Sequence, residues 1–540
     1  MKILTLLLPA ILAPLSLMKG ADYSPAITTI ESTVRGEMRE WGIGGISVAL
    51  IDDQSLVYAN GFGEAKRDSI FRAGSISKLF NAIAVMQQVE AGKIDLDAAL
   101  PPEVSPVNPF PGQPLVTPRQ ILSHRSGLQR ESPVGGYFDA TQPGIDATAR
   151  SVADCVLATK PAEKTRYSNV APTIAGWMVE KASGEAFEDY QKKHIFGPLG
   201  MTSSAWTLAN TDRNRVIVSH MRVADGKGGW TRIQSPVFDL GTIPAGNLFT
   251  TVEDLGKFAS ALMAKGGGLV KPESLEAMWK PQFTTDETGF GLAFVAGKFR
   301  KHLTIGHNGA VYGHSASLVV LPREKIAVVV IGNEDIANGR IHRISDLAIS
   351  LMLEAKTGEK PPVTPEAAMP AEAAALAGSY ESQSYWAELQ FRDGKLSGEM
   401  SGQPLKFTPA GGLKFVVNSR IDDNAPVEFQ KTENGAITGF SLGVQKFTRV
   451  PANPAPLPKS WHALLGSYGP GFIPLIVSER HGHLYAMTEN MVDYRLTPVN
   501  RHVFSLCPGM YADEEAVFLT HADGSVRAVD FASMTFTKNK

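Results

Sequence analysis

The chain has 540 residues, 52 Lys and Arg against 54 Asp and Glu, a formal net charge of -2 and 43% hydrophobic residues, the composition of a globular protein too long for one core and long enough for several domains. A balanced charge without a Lys/Arg-rich run excludes a nucleic-acid or anionic-membrane surface. Two distant cysteines, Cys155 and Cys507, exclude a disulfide framework and a cysteine metal site; both are read as buried free thiols.

Residues 1–21 open with Lys2 and an apolar run from Ile3 to Leu17, too short and too Pro-interrupted for a membrane span. They read as a secretory leader, with an uncleaved anchor as the alternative because Lys19-Gly20-Ala21 makes a poor cleavage site. No other stretch could span a bilayer, so the protein is expected to be exported, into a periplasm or beyond. Ala26 to Trp41 reads as a helix with Ile27, Ile30, Val34 and Met38 on one face. Gly45 to Ile51, turning at Asp52-Asp53-Gln54 into Leu56 to Gly61, reads as a β-hairpin.

Phe71-Arg72-Ala73-Gly74-Ser75 then leads into an apolar run from Ile76 to Ala91 that lacks Pro and Gly and stops at Gly92. Ser75 is expected as the first residue of that helix, with Lys78 one turn on and on the same face. A serine hydroxyl becomes nucleophilic when a base takes its proton, and the helix dipole and burial both push a lysine here toward its neutral form. Taken alone, Ser-x-x-Lys also fits an ordinary N-cap serine.

Thr117-Pro118-Arg119-Gln120 starts another helix, leading into Ile121 to Leu128. Tyr167-Ser168-Asn169 stands at the mouth of a helix running to Ser183, where the plain reading is a core tyrosine and an N-cap asparagine. Tyr58-Ala59-Asn60 repeats the pattern inside a predicted strand and is treated as accidental. Val252 to Lys265 is helical, entered at Thr251. Strands are expected around Gly291 to Ala296, Ser315 to Leu321 and Lys325 to Gly332, with His307-Asn308-Gly309 after Leu303-Thr304-Ile305 on a strand edge, and a helix over Ile341 to Glu354. Elements at the two ends of this region combine into one antiparallel sheet with helices on both faces and a helical insertion between, an α/β (α+β) catalytic domain over residues 22–356.

Residues 357–375 and 451–461 read as Pro-rich linkers. The segments beyond the two linkers are alike: Gly378-Ser379-Tyr380 returns as Gly466-Ser467-Tyr468, Phe407-Thr408-Pro409 as Leu496-Thr497-Pro498, Phe415 as Phe504, Gly435 as Gly524 and Phe447-Thr448 as Phe536-Thr537, at offsets of 88 to 89 residues. Five pairs in register mark a duplicated domain. Turn pairs such as Asp393-Gly394 and Asp523-Gly524 predict two small antiparallel β-barrels, residues 376–450 and 462–540.

The ordered set Ser75-x-x-Lys78, Tyr167-x-Asn169 and His307-x-Gly309 resembles the serine β-lactamase and penicillin-binding protein superfamily, in its class C-like branch. Pro198-Leu199-Gly200-Met201-Thr202 and Ala245-Gly246-Asn247, leading to Asp254, support the resemblance. It implies a β-lactamase/transpeptidase-like fold and a covalent acyl-enzyme. It also implies roles: Ser75 as nucleophile, Lys78 and Tyr167 as shared base and acid, Asn169 holding Lys78 and the substrate amide, and the N–H groups of Ser75 and Ala310 as oxyanion hole. His307 stands where the family usually has a carboxylate-binding lysine. Members with His-x-Gly look like D-aminopeptidases, D-amino-acid amidases or esterases, and those that add two C-terminal, lipocalin-like barrels resemble D-stereospecific aminopeptidases, so the expected activity is of the D-aminopeptidase, D-Ala carboxypeptidase or esterase type on small D-amino-acid peptides, amides or esters. The alternatives are a β-lactamase and a penicillin-binding sensor that acylates and stalls. A secreted α/β-hydrolase would need Gly-x-Ser-x-Gly, and Gly313-His314-Ser315-Ala316-Ser317 falls one glycine short. No metal or organic cofactor is implied, and the oligomeric state stays open.

Overall fold

The computed structural model describes residues 21–112, 115–224, 230–362, 367–487 and 492–539. All of the expected leader except Ala21 lies outside the described residues, and none of the described helices is long and apolar enough to cross a membrane.

The hairpin forms as Gly45–Asp52 and Ser55–Gly63. It supplies two strands of a seven-stranded sheet whose other five, Gly289–Phe290, Val295–Phe299, His302–Val311, His314–Leu321 and Ile326–Gly332, come from the far end of the region. The two ends meet where Gly45–Asp52 runs antiparallel to Ile326–Gly332. Side chains alternate across the sheet. Ile46, Val48 and Leu50 pack with the helices Ser24–Trp41 and Asn338–Thr357 on one face, while Ala49, Ile51, Val329 and Ile331 pack with Ser77–Glu90 and Val252–Met263 on the other. Burial on both faces is why Ile326–Gly332 is an unbroken apolar run.

Three expectations shift. The strand placed at Gly291 to Ala296 starts only at Val295, because Gly291 N–H donates to Phe294 O and Leu292 N–H to Met278 O. The last helix of the region begins three residues early, at Asn338, and runs to Thr357 before Gly358 turns left-handed at φ 77. Cys507 is a buried free thiol as read, but Cys155 is only half-buried.

The C-terminal strands form a closed barrel from Gly378–Glu381 to Gln445–Arg449, and an eight-stranded sheet from Gly466–Tyr468 to Met534–Thr537 that is drawn nearly closed by a bridge between Tyr468 and Lys538. The two units share a detail at matching positions: Tyr380 OH donates to Leu376 O at 2.8 Å, and Tyr468 OH to Leu464 O at 2.6 Å.

Both barrels are bolted to the sheet domain through buried charge. Arg420, on the loop after Lys414–Asn418 of the first barrel, donates to the carbonyls of Trp41, Ile336 and Asp335 and lies 3.6 Å from Glu334, whose fully buried carboxylate also pairs with Arg222 and Arg232. Glu514 of the second barrel pairs with Arg166, and Asp513 with Lys164 at 2.7 Å. Between the barrels, Trp386 Nε1–H donates to Asp493 at 2.8 Å.

Candidate active site

Ser75 sits in a tight 3-10 turn, Gly74–Ile76, which precedes the α-helix Ser77–Glu90 instead of being its first residue. Gly74 makes the turn possible: its φ is 54, and a Cβ there would lie 2.7 Å from Ala310 N. The same close approach places the backbone N of Ala310 against the turn that carries Ser75. Ser75 caps nothing; it is Ser77 whose hydroxyl donates to Gly74 O and accepts from Leu248 N–H. The Ser75 hydroxyl is instead 2.8 Å from Lys78 Nζ and 2.7 Å from Tyr167 OH.

The directions of these bonds follow from their neighbours. Lys78 Nζ also donates to Asn169 Oδ1 at 2.9 Å and to Ala245 O at 2.8 Å, and both of those oxygens can only accept. A neutral amine has two N–H groups for those two acceptors, which leaves its lone pair facing the Ser75 hydroxyl. Lys78 is 1% exposed, and burial first, then the Arg130 guanidinium, hold its pKa well below the ordinary lysine value, against the opposing charge of Glu131. Burial pushes the Tyr167 phenol up to about 12, so it keeps its proton and donates it to Ser75 Oγ. Ser75 can thus give its proton to Lys78 while Tyr167 supports the oxygen.

Asn169 is oriented by a residue that the sequence reading missed. Glu131 accepts from Asn169 Nδ2 at 2.5 Å, which turns the amide oxygen toward Lys78. Asn169 N–H donates to Arg130 O at 2.7 Å, and the Arg130 guanidinium lies 5.6 Å from the centroids of both Tyr167 and Tyr511. His124, inside the Ile121 to Leu128 segment, stacks on Tyr167 at 4.2 Å and accepts from Ser168 N–H through Nδ1. The only signal for Arg130 and Glu131 was their place just beyond that segment.

His307 and Gly309 lie on His302–Val311, on the stretch beyond Gly306 where pairing with Val295–Phe299 has ended. That unpaired edge faces the Ser75 turn, and a Cβ on Gly309 would come 2.0 Å from Ala73 O. His307 is 8% exposed and its pKa falls to about 4, from burial first and the charge of Lys78 second. Nδ1–H donates to Asn308 O at 2.5 Å, which fixes the neutral tautomer and leaves Nε2 as an acceptor with no hydrogen-bond partner among the described residues.

Asp254 and Asn247 are framework residues: Thr251 caps the helix Val252–Met263 by accepting from Asp254 N–H, the Asp254 carboxylate accepts from Ser203 N–H and the Ser204 hydroxyl, and Asn247 links Arg72 to Trp206 O and Asp239. Ser315 is structural too, its hydroxyl donating to Glu334 O and accepting from Ala337 N–H. Tyr58 donates to Glu31 at 2.7 Å and does not line the Ser75 cavity.

Ser75, Tyr167, Asn169 and His307 line a cavity of about 750 Å³ whose outer walls come from both barrels, including Met400, Ile421 and Val444 of the first and Tyr494 and Met510 of the second.

The family profile described as Beta-lactamase matches residues 30–349. The chain is 28% identical over 378 residues to penicillin-binding protein 4 of Amycolatopsis lactamdurans, covering 64% of this chain and 94% of that protein. It is 27% identical over 345 residues to the esterase EstB of Burkholderia gladioli, covering 54% of this chain and 87% of the esterase. Its fold matches that of a D-amino acid amidase from Ochrobactrum anthropi, solved with L-phenylalanine amide, at a TM-score of 0.52 and 21% identity, over 62% of this chain and all of that one.

Proposed function

We propose that this chain, which belongs to the beta-lactamase family, is a serine hydrolase that forms a covalent acyl-enzyme on Ser75 and acts on small amides and esters, those of D-amino acids foremost. The observation that carries the reading is the Ser75 hydroxyl held between Lys78 Nζ at 2.8 Å and Tyr167 OH at 2.7 Å. In this reading neutral Lys78 takes the Ser75 proton as Oγ attacks the scissile carbonyl carbon. The N–H groups of Ser75 and Ala310 receive the developing oxyanion, a contribution of about 2.7 to 4 kcal/mol for such a donor. Tyr167 hands its proton to the departing amine or alcohol as the C–N or C–O bond breaks. Water then attacks the acyl carbon, and its proton returns by the same pair of groups until Ser75 is a hydroxyl again. Asn169 holds Lys78 and accommodates the substrate amide.

His307 separates the substrate classes. As a neutral acceptor it offers no cation to a substrate carboxylate, whereas a donor such as an amide N–H or an α-ammonium finds Nε2 waiting. This favours amides and esters over penicillins, and the likeness to an amidase of D-amino acids supports the D-series. Export belongs to the same reading, supported by Lys2 and the apolar run after it; N-terminal sequencing of the protein recovered from a periplasmic extract checks it.

Intact mass after brief and long incubation with p-nitrophenyl acetate, D-alanyl amide and benzylpenicillin tests the proposal. The expected result is a transient acetyl adduct, turnover of the D-amide, and neither adduct nor turnover in Ser75→Ala. Normal hydrolysis by Ser75→Ala removes the nucleophile assignment. Fast penicillin hydrolysis without D-amide turnover makes the protein a β-lactamase, and a lasting penicillin adduct makes it a sensor.

A further inference from the structure

The cavity over Ser75 is much larger than a D-alanyl amide, and its outer wall differs in chemistry from its floor. The floor is polar, built from Ser75, Tyr167, Asn169 and His307, whereas the wall carries Met400, Ile421 and Val444 from the first barrel and Val492, Tyr494 and Met510 from the second. Val444 stands at the tip of the hairpin joining Ile437–Leu442 to Gln445–Arg449 and is 93% exposed, so the apolar lining continues out to the mouth. A single exposed valine is ordinary; one that continues a lining drawn from two domains is placed to meet a ligand entering from water.

Charge is scarce in this space. Among the lining residues the charge-bearing types are Arg130, His307 and Asp422. The Arg130 guanidinium lies over the rings of Tyr167 and Tyr511, His307 presents a neutral acceptor, and Asp422 accepts from the Ser419 hydroxyl at 3.3 Å. An apolar group entering the cavity therefore displaces water from carbon surface and not from unpaired ions, and each buried methylene strengthens binding by roughly fourfold.

We propose that the substrate of the Ser75 site is an amphiphile: an amide or ester whose acyl or leaving group carries an apolar chain or ring system of about six carbons or more, held between the two barrels. The inference rests on Ser75 as nucleophile but not on D-selectivity. It assigns the barrels a task, since the catalytic turn, the Tyr167 segment and the His307 strand all belong to the sheet domain while much of the apolar wall does not.

The test uses the full chain and two series with intact-mass detection of the adduct: p-nitrophenyl esters from acetate to octanoate, and acetate esters of alcohols from ethanol to octanol followed by pH-stat. Acylation kcat/KM should rise at least tenfold from the shortest to the longest member in one series. Val444→Asp and Met510→Gln, one from each barrel, should flatten that rise, and the exposure of Val444 keeps the first variant free of folding cost. Flat or falling profiles in both series, with Ser75 acylated normally, overturn the amphiphile proposal and leave the hydrolase reading intact. Failure of every ester to acylate Ser75 overturns both.

Discussion

At the scale of single residues the site is a set of hydrogen-bond directions, each forced by a neighbour that can only donate or only accept. Acylation should need neutral Lys78, so kcat/KM for an uncharged ester should rise with pH through a limb well below the ordinary lysine range, and it should not fall again until the phenol of Tyr167 titrates near 12. His307, with its pKa near 4, is neutral throughout that interval. A limb near the ordinary histidine value, the natural expectation for an unburied imidazole, is therefore not expected. Stopped-flow acylation from pH 5 to 10 should give superimposable limbs for the wild type and His307→Gln, and a shifted limb in the variant would mean that His307 exchanges protons with the site. Lys78→Ala should lower acylation by several orders of magnitude while the thermal unfolding midpoint stays close to that of the parent. Glu131→Ala should act through Asn169. Once its NH2 is no longer held by a carboxylate, the amide can turn, and kcat should drop about 10- to 100-fold with the Lys78 limb displaced. An unmoved limb would reduce Glu131 to packing.

At the scale of elements, the fit that shapes the site is between the Ser75 turn and the end of His302–Val311. Two glycines permit it, Gly74 through a positive φ and Gly309 through the absence of a Cβ beside Ala73 O. Gly309→Ala should push this strand end off the turn and move Ala310 N away from Ser75. The expected outcome is a loss of kcat of about 10²- to 10³-fold, the cost of one oxyanion donor, with a modest loss of stability because the rest of the strand keeps its pairing with His314–Leu321. Measuring both kcat and the urea midpoint separates the effects; a collapsed midpoint with normal kcat in the folded fraction would put Gly309 in the fold and not in the chemistry. The segment Cys507 to Glu514 makes the second such fit. Its Glu514 pairs with Arg166, one residue before Tyr167, and accepts from Arg130 N–H at 3.2 Å, so a loop of the last domain braces two walls of the site.

Over the whole molecule, the sheet domain is not electrostatically self-sufficient. The sequence bounds the catalytic domain at residue 356, and the structure ties that domain to both barrels. A chain ending near Ala355 would leave Glu334 without Arg420 and Arg166 without Glu514, and would bare apolar surface that the second barrel covers, such as Phe138 against Phe536 and Tyr312 against Phe472. Arg222 and Arg232 still hold Glu334, so the Arg166 end should suffer more. The truncated protein should unfold at markedly lower urea than the full chain and lose acylation by p-nitrophenyl acetate in proportion to the unfolded fraction; a truncated domain as stable and as reactive as the parent would refute the claim.

What the sequence by itself determined are the features carried by short spacing: the amphipathic helices, the alternation of the sheet strands, the barrel repeat at 88 to 89 residues, and the pairing of Ser75 with Lys78 one turn apart. A helix or strand imposes its period locally, so local patterns report it. Tyr167, Asn169 and His307 were found through resemblance, as no local rule joins residues 92, 94 or 232 positions from Ser75. What only the tertiary structure decided was contact between surfaces that share no sequence neighbourhood: Glu131 beneath Asn169, the tautomer of His307, and the apolar wall that two barrels lend to the Ser75 cavity. Burial sets these. It shifts the pKa of Lys78, pairs the polar atoms of Ser75, Lys78 and Asn169 with partners of the right sense while leaving His307 Nε2 open, and depends on which distant segments the fold brings to lie on top.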